Sequence, residues 1–350
     1  MAESSAATSR EAALARALYH AKARNERYSR ILTGPSFFRE IRGLRERDRI
    51  ALEQGRSAQG PSKDLTSKLG NYELALSHGI PCAEVLAVWP EVRSMDLSGL
   101  HGKFVVKADG GASGGGVLLL ERVGVDSFRV VGEDTVFGES GVKEFFSDAF
   151  ARNVAWGRIF AERFIQSETA EIPLDVKVYT CFGEIIQILG RSVSRLRDES
   201  AVDRAYFDAN GTNLGQVLGM AKTNDALRLP ADDLSVLQGF CEHLSSATGR
   251  PFVRLDFYFS KGAWILGEIT PSPGGEQNYK RAHDVTMGEA WVRAENRLAK
   301  ALAEGRPYGV LFGSHSHPDF RRPGGWTRGE EGVISGGSLC PYCKGSSALR

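Results

Sequence analysis

The feature that most constrains this chain is a run of small residues between two apolar stretches. Asp109 is followed by Gly-Gly-Ala-Ser-Gly-Gly-Gly, and the flanking residues 104–107 and 117–120 have the apolar composition of buried strands. Because glycine has no Cβ, the backbone N–H groups of such a loop can approach an anion closely. The sequence therefore predicts a strand–loop–strand hairpin that folds over phosphates, and a flexible surface hairpin is the alternative.

Two better-known phosphate loops do not fit this segment. A P-loop ends in Gly-Lys-Ser or Gly-Lys-Thr and, like the dinucleotide-binding turn, leads directly into a helix, whereas an apolar strand follows here. Lys107 ends the first strand, where its ammonium group can reach a phosphate. The residues of this segment that we expect to bind phosphates are Lys107, Gly111, Ser113, Gly114 and Gly115.

A second constraint is the strict alternation of apolar and polar residues over 252–259. Arg254 and Asp256 lie on the polar face of this predicted strand. Another apolar strand follows, and a hairpin centred on Gly262 places Asp256 opposite Glu268. Directly opposed side chains lie close together and like charges there repel, so the two carboxylates need a counter-charge.

Magnesium is one possible source of that counter-charge. Mg²⁺ is commonly held by carboxylates together with nucleotide phosphates. The alternative is an exposed polar sheet face on which Arg254, opposite Thr270 in the same register, is the ion-pair partner. The sequence Pro-Ser-Pro-Gly-Gly at 271–275 follows directly and is typical of a loop that a ligand approaches closely, which favours the metal site.

The composition sets limits on the rest of the chain. A length of 350 residues suits two or three lobes, and 42% hydrophobic with 25% charged residues is ordinary for a globular protein. The formal net charge of +1 gives no reason to expect nucleic-acid binding. We expect no membrane span, since no apolar run approaches roughly 20 residues, and no secretory signal. Five cysteines, an odd number, indicate a reducing compartment and a cytoplasmic protein.

Helical and strand patterns alternate without an internal repeat, which predicts a mixed α/β (α+β) fold in four parts. Residues 1–60 form a helical N-terminal extension. Residues 61–165 form a lobe with the glycine-rich loop, and residues 166–305 form a second lobe with the metal site. Residues 306–350 are rich in Gly, Ser and Pro and lack an apolar period, so we expect a disordered tail that folding does not require.

Two further groups of residues have two interpretations each. The arginine-rich loop that includes Arg191 and Arg195 either recognises an anionic acceptor or acid, or is a solvated loop that pairs with nearby acidic residues. In the tail, two histidines and a CxxC sequence either bind zinc or belong to the disordered segment. These tail residues are His315, His317, Cys340 and Cys343.

The order of the motifs along the chain, over about residues 64–300, resembles that of the ATP-grasp superfamily. Lys68 lies in a predicted helix before Gly-Ile-Pro, and Lys107 precedes the glycine loop. The sequence Arg-Leu-Asp at 254–256, followed by Glu268, is similar to the superfamily's Arg-x-Asp and Glu-x-Asn metal signature. The resemblance therefore includes both the phosphate-binding and the metal-binding segments.

The resemblance is closest to the TupA-like branch, named for teichuronopeptide synthesis. The similar segments are Asp-Val-Lys-Val-Tyr at 175–179, Phe-Gly at 182–183 and Gly-Glu-Ile-Thr-Pro at 267–271. Thr270 stands where many ligases of the superfamily have asparagine. It is therefore either the third metal ligand or a residue that positions Glu268.

The resemblance implies an ATP-grasp fold, in which the nucleotide is held between two α+β lobes, with ATP and Mg²⁺ bound. It implies phosphate contacts from Lys107 and Lys177 and a contact with the nucleotide from Lys68. The implied metal ligands are Asp256, Glu268 and Thr270. Adenine would be held by Glu162, Arg163, Phe164 and Ile165. Arg254 would stabilise an acyl phosphate and a later oxyanion, and the second substrate would lie against Gly274 and Gly275.

The activity that this implies is ATP-dependent carboxylate–amine ligation through an acyl phosphate, with ADP and phosphate as products. The substrates would be a small-molecule, cell-envelope or natural-product acid and amine. A phosphotransferase of the same superfamily, acting on a small-molecule or sugar-containing acceptor, is one alternative. A non-catalytic nucleotide-binding module is another, although the retained Lys107, Asp256 and Glu268 argue against it. The sequence does not identify the acid, the amine or the oligomeric state.

Overall fold

The computed structural model describes residues 34–54, 65–111, 114–167, 172–193, 202–219, 223–231, 233–274 and 277–320, together with Leu14, Leu18, Tyr19, Ala21, Lys22 and Asn25. Within them the helices are α1 (Phe37–Glu53), α2 (Lys68–Ser77), α3 (Glu139–Ala151), α4 (Ser235–Ala247) and α5 (Arg281–Ala303). The strands are β1 (Val85–Trp89), β2 (Lys103–Gly111), β3 (Val117–Gly124), β4 (Ser127–Val130), β5 (Val136–Phe137), β6 (Ala155–Arg163), β7 (Asp175–Cys181), β8 (Glu184–Val193), β9 (Val202–Phe207), β10 (Val253–Ser260) and β11 (Ala263–Thr270).

The strands form two antiparallel sheets, which confirms the predicted α+β class. The first sheet has the order β1-β6-β2-β3-β4-β5 and the second the order β11-β10-β7-β8-β9. The sequence analysis did not identify α3, β4, β5 or β9. Among the described residues, the structure contains no helix with the length and apolar character needed to cross a membrane.

The first sheet has two faces of different character. Phe104 and Val106 of β2 point to one face, where they pack with Phe146 of α3 in a buried apolar cluster. Successive residues of a strand point to opposite faces, so Lys107 lies on the other face. Glu162 of β6 lies there too, because it pairs in register with the residue two positions before Lys107. This second face therefore carries the predicted phosphate-binding lysine.

The predicted hairpin around the glycine segment is confirmed. Lys107 pairs with Val117, and β2 continues beyond its predicted end into the glycines. Part of the glycine content has a packing cause, since a Cβ on Gly110 would lie 2.1 Å from Trp156 Nε1 on the neighbouring strand. Hence not every glycine of the segment is explained by access to a phosphate.

The second sheet is covered on both faces. On one side Leu237 of α4 packs with Leu255 of β10 in the largest apolar cluster. On the other side α1 and α5 cover the sheet, and Phe37 of α1 contacts Phe252 and Trp291 at ring-centroid distances of 5.2 and 5.8 Å. Helix α1 belongs to the predicted helical N-terminal extension, and one side of it is part of this core.

Helix α2 and the segment after it join the two sheets. Every residue of α2 is buried. Asn71 Nδ2 of α2 donates to Ile269 O of β11 at 3.1 Å, and Leu266 N of β11 donates to Pro81 O at 2.8 Å. The helix therefore lies against the end of the second sheet that carries the predicted metal ligands.

Residues 306–320 differ from the prediction of a disordered tail. Leu311 N donates to the carbonyl of the last residue of α4 at 2.9 Å, and His315 N donates to that of the last residue of α2 at 3.0 Å. Phe320 is 4% exposed and belongs to the core that includes α2. The prediction is wrong for this segment because single side chains and backbone groups make these contacts, and such contacts produce no periodic pattern. Outside the described residues lie 321–350, including Cys340 and Cys343.

Candidate nucleotide and metal site

A buried ion pair lies on the second face of the first sheet. Lys107 Nζ is 2.6 Å from Glu162 Oε1, and the Tyr72 hydroxyl donates to Glu162 Oε2 at 2.7 Å. Burial and the adjacent Glu162 charge raise the pKa of Tyr72 well above its usual range, so the hydroxyl remains a donor. Glu162, 2% exposed, was expected to contact adenine. Its carboxylate holds Lys107.

We expect Glu162→Gln to lower the free energy of unfolding by about 3 to 5 kcal/mol, because it leaves Lys107 as a buried cation without its counter-charge. Chemical denaturation measures this change. Glu121→Gln is the matched control, since Glu121 on the adjacent strand β3 pairs with Arg129 at the surface. That substitution should cost less than about 1 kcal/mol. Equal losses of unfolding free energy for the two variants would contradict the role of Glu162 as the counter-charge of buried Lys107.

Asp109 fixes the start of α2. Its Oδ1 accepts hydrogen bonds from Ser67 Oγ at 2.7 Å and from Leu69 N at 2.9 Å, and its Oδ2 accepts from Arg158 Nη2 at 3.0 Å. A carboxylate at this position satisfies N–H groups that have no partner within the helix. Lys68, in the first turn of α2, is thereby fixed beside the glycine hairpin. The contact of Asp109 with the start of α2 was not predicted, because its partners are distant in the sequence.

Apolar side chains lie beside the Lys107 ion pair on the same face of the first sheet. Val105 of β2 and Phe164, the residue after β6, belong to a small buried cluster that Leu119 of β3 contacts. Arg163 points away from this face and pairs with Glu84 at 2.7 Å. The face thus combines buried apolar side chains with several charged groups, a composition that is also typical of small-molecule sites.

On the second sheet the predicted register is confirmed. Asp256 pairs with Glu268, and Arg254 pairs with Thr270. On its other side Asp256 pairs with Lys177 of β7. These five predicted site residues therefore occupy two adjacent rows across three neighbouring strands.

Two cations hold Asp256. Arg254 donates from Nε to Oδ1 at 2.6 Å and from Nη2 to Oδ2 at 2.7 Å, and Lys177 Nζ is 2.5 Å from Oδ2. Burial alone would raise the pKa of Asp256, but the charges of Arg254 and Lys177 outweigh it and lower the pKa to about 2. Lys177 Nζ also lies 2.8 Å from Asp175 Oδ2. The result is a buried cluster of alternating charges.

A bulge in β11 produces the pairing of the two carboxylates. The turn pairs Ser260 with Ala263, which alone would place Asp256 opposite Gly267. The register shifts by one residue at this point, so that the carboxylates face each other. A Cβ on Gly267 would lie 2.7 Å from Tyr258 Cε2, so a glycine is required there. The predicted pairing of Asp256 with Glu268 was correct. The turn, however, consists of Lys261 and Gly262 and is not centred on Gly262 alone.

A cation of helix α2 lies near a predicted metal ligand of strand β11. Lys68 Nζ is 3.8 Å from Glu268 Oε1. Burial lowers the pKa of Lys68, and the Glu268 charge opposes that shift. About a third of the Glu268 side chain, 36%, is exposed, so this carboxylate is far more accessible than Asp256. The Thr270 hydroxyl oxygen accepts a hydrogen bond from Arg254 Nη2 at 3.0 Å.

The donor set fits a hard cation. Asp256 and Glu268 supply opposed carboxylates, and the neighbouring Asp175 has a buried Oδ1 without a hydrogen-bond partner. Oxygen ligands of this kind suit Mg²⁺, which usually completes its octahedron with water and substrate phosphates. Within the described part of the chain, no group of three or more His, Cys, Asp or Glu residues is placed to hold a metal ion.

The other predicted residues lie as follows. Arg191 Nη1 is 3.5 Å from Asp175 Oδ2, and Gly274 O accepts from Gln277 Nε2 at 2.6 Å. Gly111 and Gly114 both have positive φ, at the ends of the described hairpin, with Gly115 next in the turn. Ile165 lies just beyond β6, and His315 and His317 lie in the packed segment 306–320. Outside the described residues lie Ser113, Arg195 and Gly275.

Residues 76–292 match the protein-family model described as TupA-like ATPgrasp. Similar solved structures include D-alanine–D-alanine ligase from Bacillus anthracis, at 14% identity and a TM-score of 0.42 over 70% of this chain and 71% of that one. The ATP-grasp ligase PsnB, complexed with minimal precursor, has 13% identity and a TM-score of 0.38 over 67% and 61%. D-cycloserine synthetase DcsG has 12% identity and a TM-score of 0.39 over 67% and 69%. No curated protein sequence gives a significant match.

Proposed function

Because the chain belongs to the TupA-like ATP-grasp family, we propose that it is an ATP-dependent ligase that joins a carboxylate to an amine through an acyl phosphate. One observation carries the proposal. Lys68, beside the glycine hairpin of the first lobe, lies 3.8 Å from Glu268 of the second lobe. This contact between a predicted nucleotide-binding lysine and a predicted metal ligand supports one shared site for the nucleotide and the metal.

ATP would bind along the second face of the first sheet. The apolar surface at Val105 and Phe164 offers a place for adenine. Lys107, held by Glu162, and Lys68 would neutralise the phosphates, and the glycine hairpin would add backbone N–H groups. In this arrangement Glu162 acts through Lys107 rather than on the base.

Asp256 and Glu268 would hold Mg²⁺, which when bound offsets the charge that develops on the transferring phosphoryl group. In the described structure, Arg254 and Lys177 neutralise Asp256. Those two cations therefore preserve an ionised carboxylate in a buried position. Thr270 keeps Arg254 in place through its hydroxyl group.

We assign to Arg254 the role of acting on the acid substrate. A carboxylate of that substrate would attack the γ-phosphorus of ATP, the bond to the β-phosphate oxygen would break, and ADP would leave. The guanidinium group of Arg254 can pair with carboxylate and phosphate oxygens in a fixed geometry. It is already oriented toward the carboxylate pair by its contact with Asp256.

The acyl phosphate is a mixed anhydride, so the amine would attack its carbonyl carbon. The electron pair moves onto the carbonyl oxygen and returns as phosphate leaves, and the amine nitrogen loses a proton to solvent. Arg254 would stabilise the oxyanion formed in this step. No serine or cysteine nucleophile is needed. We expect the reaction to occur in the cytoplasm, with a small-molecule, cell-envelope or natural-product acid and amine as substrates.

The products test this mechanism. We expect ADP and inorganic phosphate in equal amounts, without AMP, when ATP, Mg²⁺ and a matching acid–amine pair are supplied. A screen of acid and amine pairs by ATP consumption, with mass spectrometry of the products, identifies the pair. Hydroxylamine in place of the amine should convert the acid to a hydroxamate.

Two outcomes would contradict the proposal. AMP and pyrophosphate would indicate adenylation of the acid. ADP with a stable phosphorylated product and no free phosphate would indicate a phosphotransferase. Omission of the acid is the control, because the hydroxamate requires an activated carboxylate.

A further inference from the structure

The N-terminal helix α1 lies outside the part of the chain that matches the family model, which begins at residue 76. It is nevertheless fixed firmly to the second lobe. Asp284 of α5 accepts hydrogen bonds from Ser36 Oγ at 2.7 Å and from Phe38 N at 2.9 Å. The start of α1 approaches α5 so closely that a Cβ on Gly288 would lie 2.4 Å from Ser36 N. The direction of α1 across the lobe is therefore well defined.

The buried face of α1 ends in an arginine that reaches the site. Phe37, Ile41 and Arg45 are spaced by four residues and so lie on one side of the helix. The first two are buried in the core under α1 and α5. Arg45 donates from Nε to Ser272 Oγ at 3.2 Å and from Nη2 to Pro273 O. The helix thus contributes a cation to the loop that follows β11.

This loop, residues 271–274, lies beside the carboxylate pair. The loop begins three residues after Glu268, so the Cα atom of Pro271 lies within about 10 Å of the Cα atom of Glu268. Its other end is held by Gln277, which donates from Nε2 to Gly274 O at 2.6 Å. Gln277 Oε1 in turn accepts from the Tyr279 hydroxyl at 3.1 Å. The loop is therefore held near its start by Arg45 of α1 and at its end by Gln277.

We propose that Arg45 is a positioning residue that shapes the amine-binding side of the active site by holding Ser272 and Pro273. The proposal rests on the ligase function proposed above. A guanidinium group donates in two directions at once with a fixed spacing, so it can hold a hydroxyl and a carbonyl in a defined geometry, whereas the three donors of a lysine rotate about one nitrogen. Helix α1 would then be part of the active site, although it lies outside the matched region.

Arg45→Gln tests the proposal in two measurements. Without any amine, and with Mg²⁺ and ADP as the probe, backbone ¹⁵N relaxation should show the Ser272 and Gly274 amides loosening, from order parameters near about 0.85 toward values below about 0.6. With the acid–amine pair found by the screen, KM for the amine should rise about tenfold. KM for ATP should change less than about twofold, because Arg45 contacts the loop and no predicted phosphate-binding residue.

Arg49→Gln is the matched control, since Arg49 lies one turn further along α1 and pairs only with Glu46 and Glu53 among the contacts that the structure describes. It should leave the loop and both KM values unchanged. Arg45→Lys keeps the charge but not the planar donor group, so its loop order parameters and its KM for the amine should resemble those of Arg45→Gln. If Arg45→Gln does not fold, Ser272→Ala removes one acceptor without touching α1 and should raise KM for the amine alone.

Each result decides something. Unchanged order parameters in Arg45→Gln, equal loosening in Arg49→Gln, or a parallel rise in KM for ATP and amine would overturn the positioning role. If no acid–amine pair supports ADP release, the proposed function fails. The relaxation measurement still reports separately whether Arg45 holds the loop.

Discussion

Asp256→Asn is expected to lower the turnover of ATP with Mg²⁺ by about a thousandfold, because it removes a carboxylate that would hold the metal next to the transferring phosphoryl group. Release of ADP with the acid–amine pair measures this effect. The variant should also lose about 3 to 5 kcal/mol of stability, since Arg254 and Lys177 remain buried without that counter-charge. A thermal melt is therefore needed to show that the folded protein is being assayed.

Glu268→Gln separates the metal role from the stability effect. Its side chain is 36% exposed, and its ion pair with Lys68 is long, at 3.8 Å. We expect a comparable loss of turnover with little change in stability. Asp203→Asn, at an exposed position of β9 in the same sheet, is the control and should retain normal turnover. Near-normal activity of folded Asp256→Asn would show that the metal assignment is wrong.

Phe320→Ala is expected to lower the melting temperature by roughly 6 to 10 °C, because deleting a buried phenylalanine ring costs about 3 to 5 kcal/mol. The ring lies in the core that includes α2, and Phe320 N donates to Glu73 Oε1 at 2.9 Å. Since α2 carries Lys68, the loss should also weaken ATP binding. A thermal melt with and without Mg²⁺ and ATP measures both effects.

Phe312→Ala is the matched control within the same segment. Phe312 is 44% exposed, so its removal should shift the melting temperature by no more than a degree or two. If both phenylalanine variants melt like the unmodified protein, segment 306–320 is not part of the folded core. The initial expectation of a dispensable tail would then be correct for these residues as well.

Local patterns predicted much of the site. The alternation over 252–259 and the short connection after it placed Asp256 opposite Glu268, and the structure has that pairing. The pairing depends on a bulge at Gly267, which no alternation pattern reveals, because a bulge is one unpaired residue in an otherwise regular ladder. The glycine segment likewise predicted a hairpin, but the packing of Gly110 against Trp156 involves two strands separated by more than forty positions.

The contacts that were not predicted join residues that are distant in the sequence. The ion pair of the Glu162 carboxylate with Lys107 was not predicted, because it depends on the register of β2 and β6, which brings the two side chains to one face. Asp109 looked like part of the glycine loop and instead caps α2. The spacing of Arg45 from Phe37 and Ile41 places it on the buried side of α1 but does not show what that side contacts. Only the docking of that helix on α5 directs this one arginine to the loop after β11.

The sequence by itself predicted the α+β class, the two hairpins and the opposed carboxylates, because these depend on spacing and periodicity within neighbouring segments. The family was predicted from the resemblance of its motifs to those of the TupA-like branch. Only the tertiary structure decided which charges are paired, how α2 joins the two sheets, and that 306–320 pack against the core. Those outcomes depend on which surfaces meet when distant elements bury their apolar faces together. A side chain's partner across such an interface is set by the docking of whole elements, not by its neighbours along the chain.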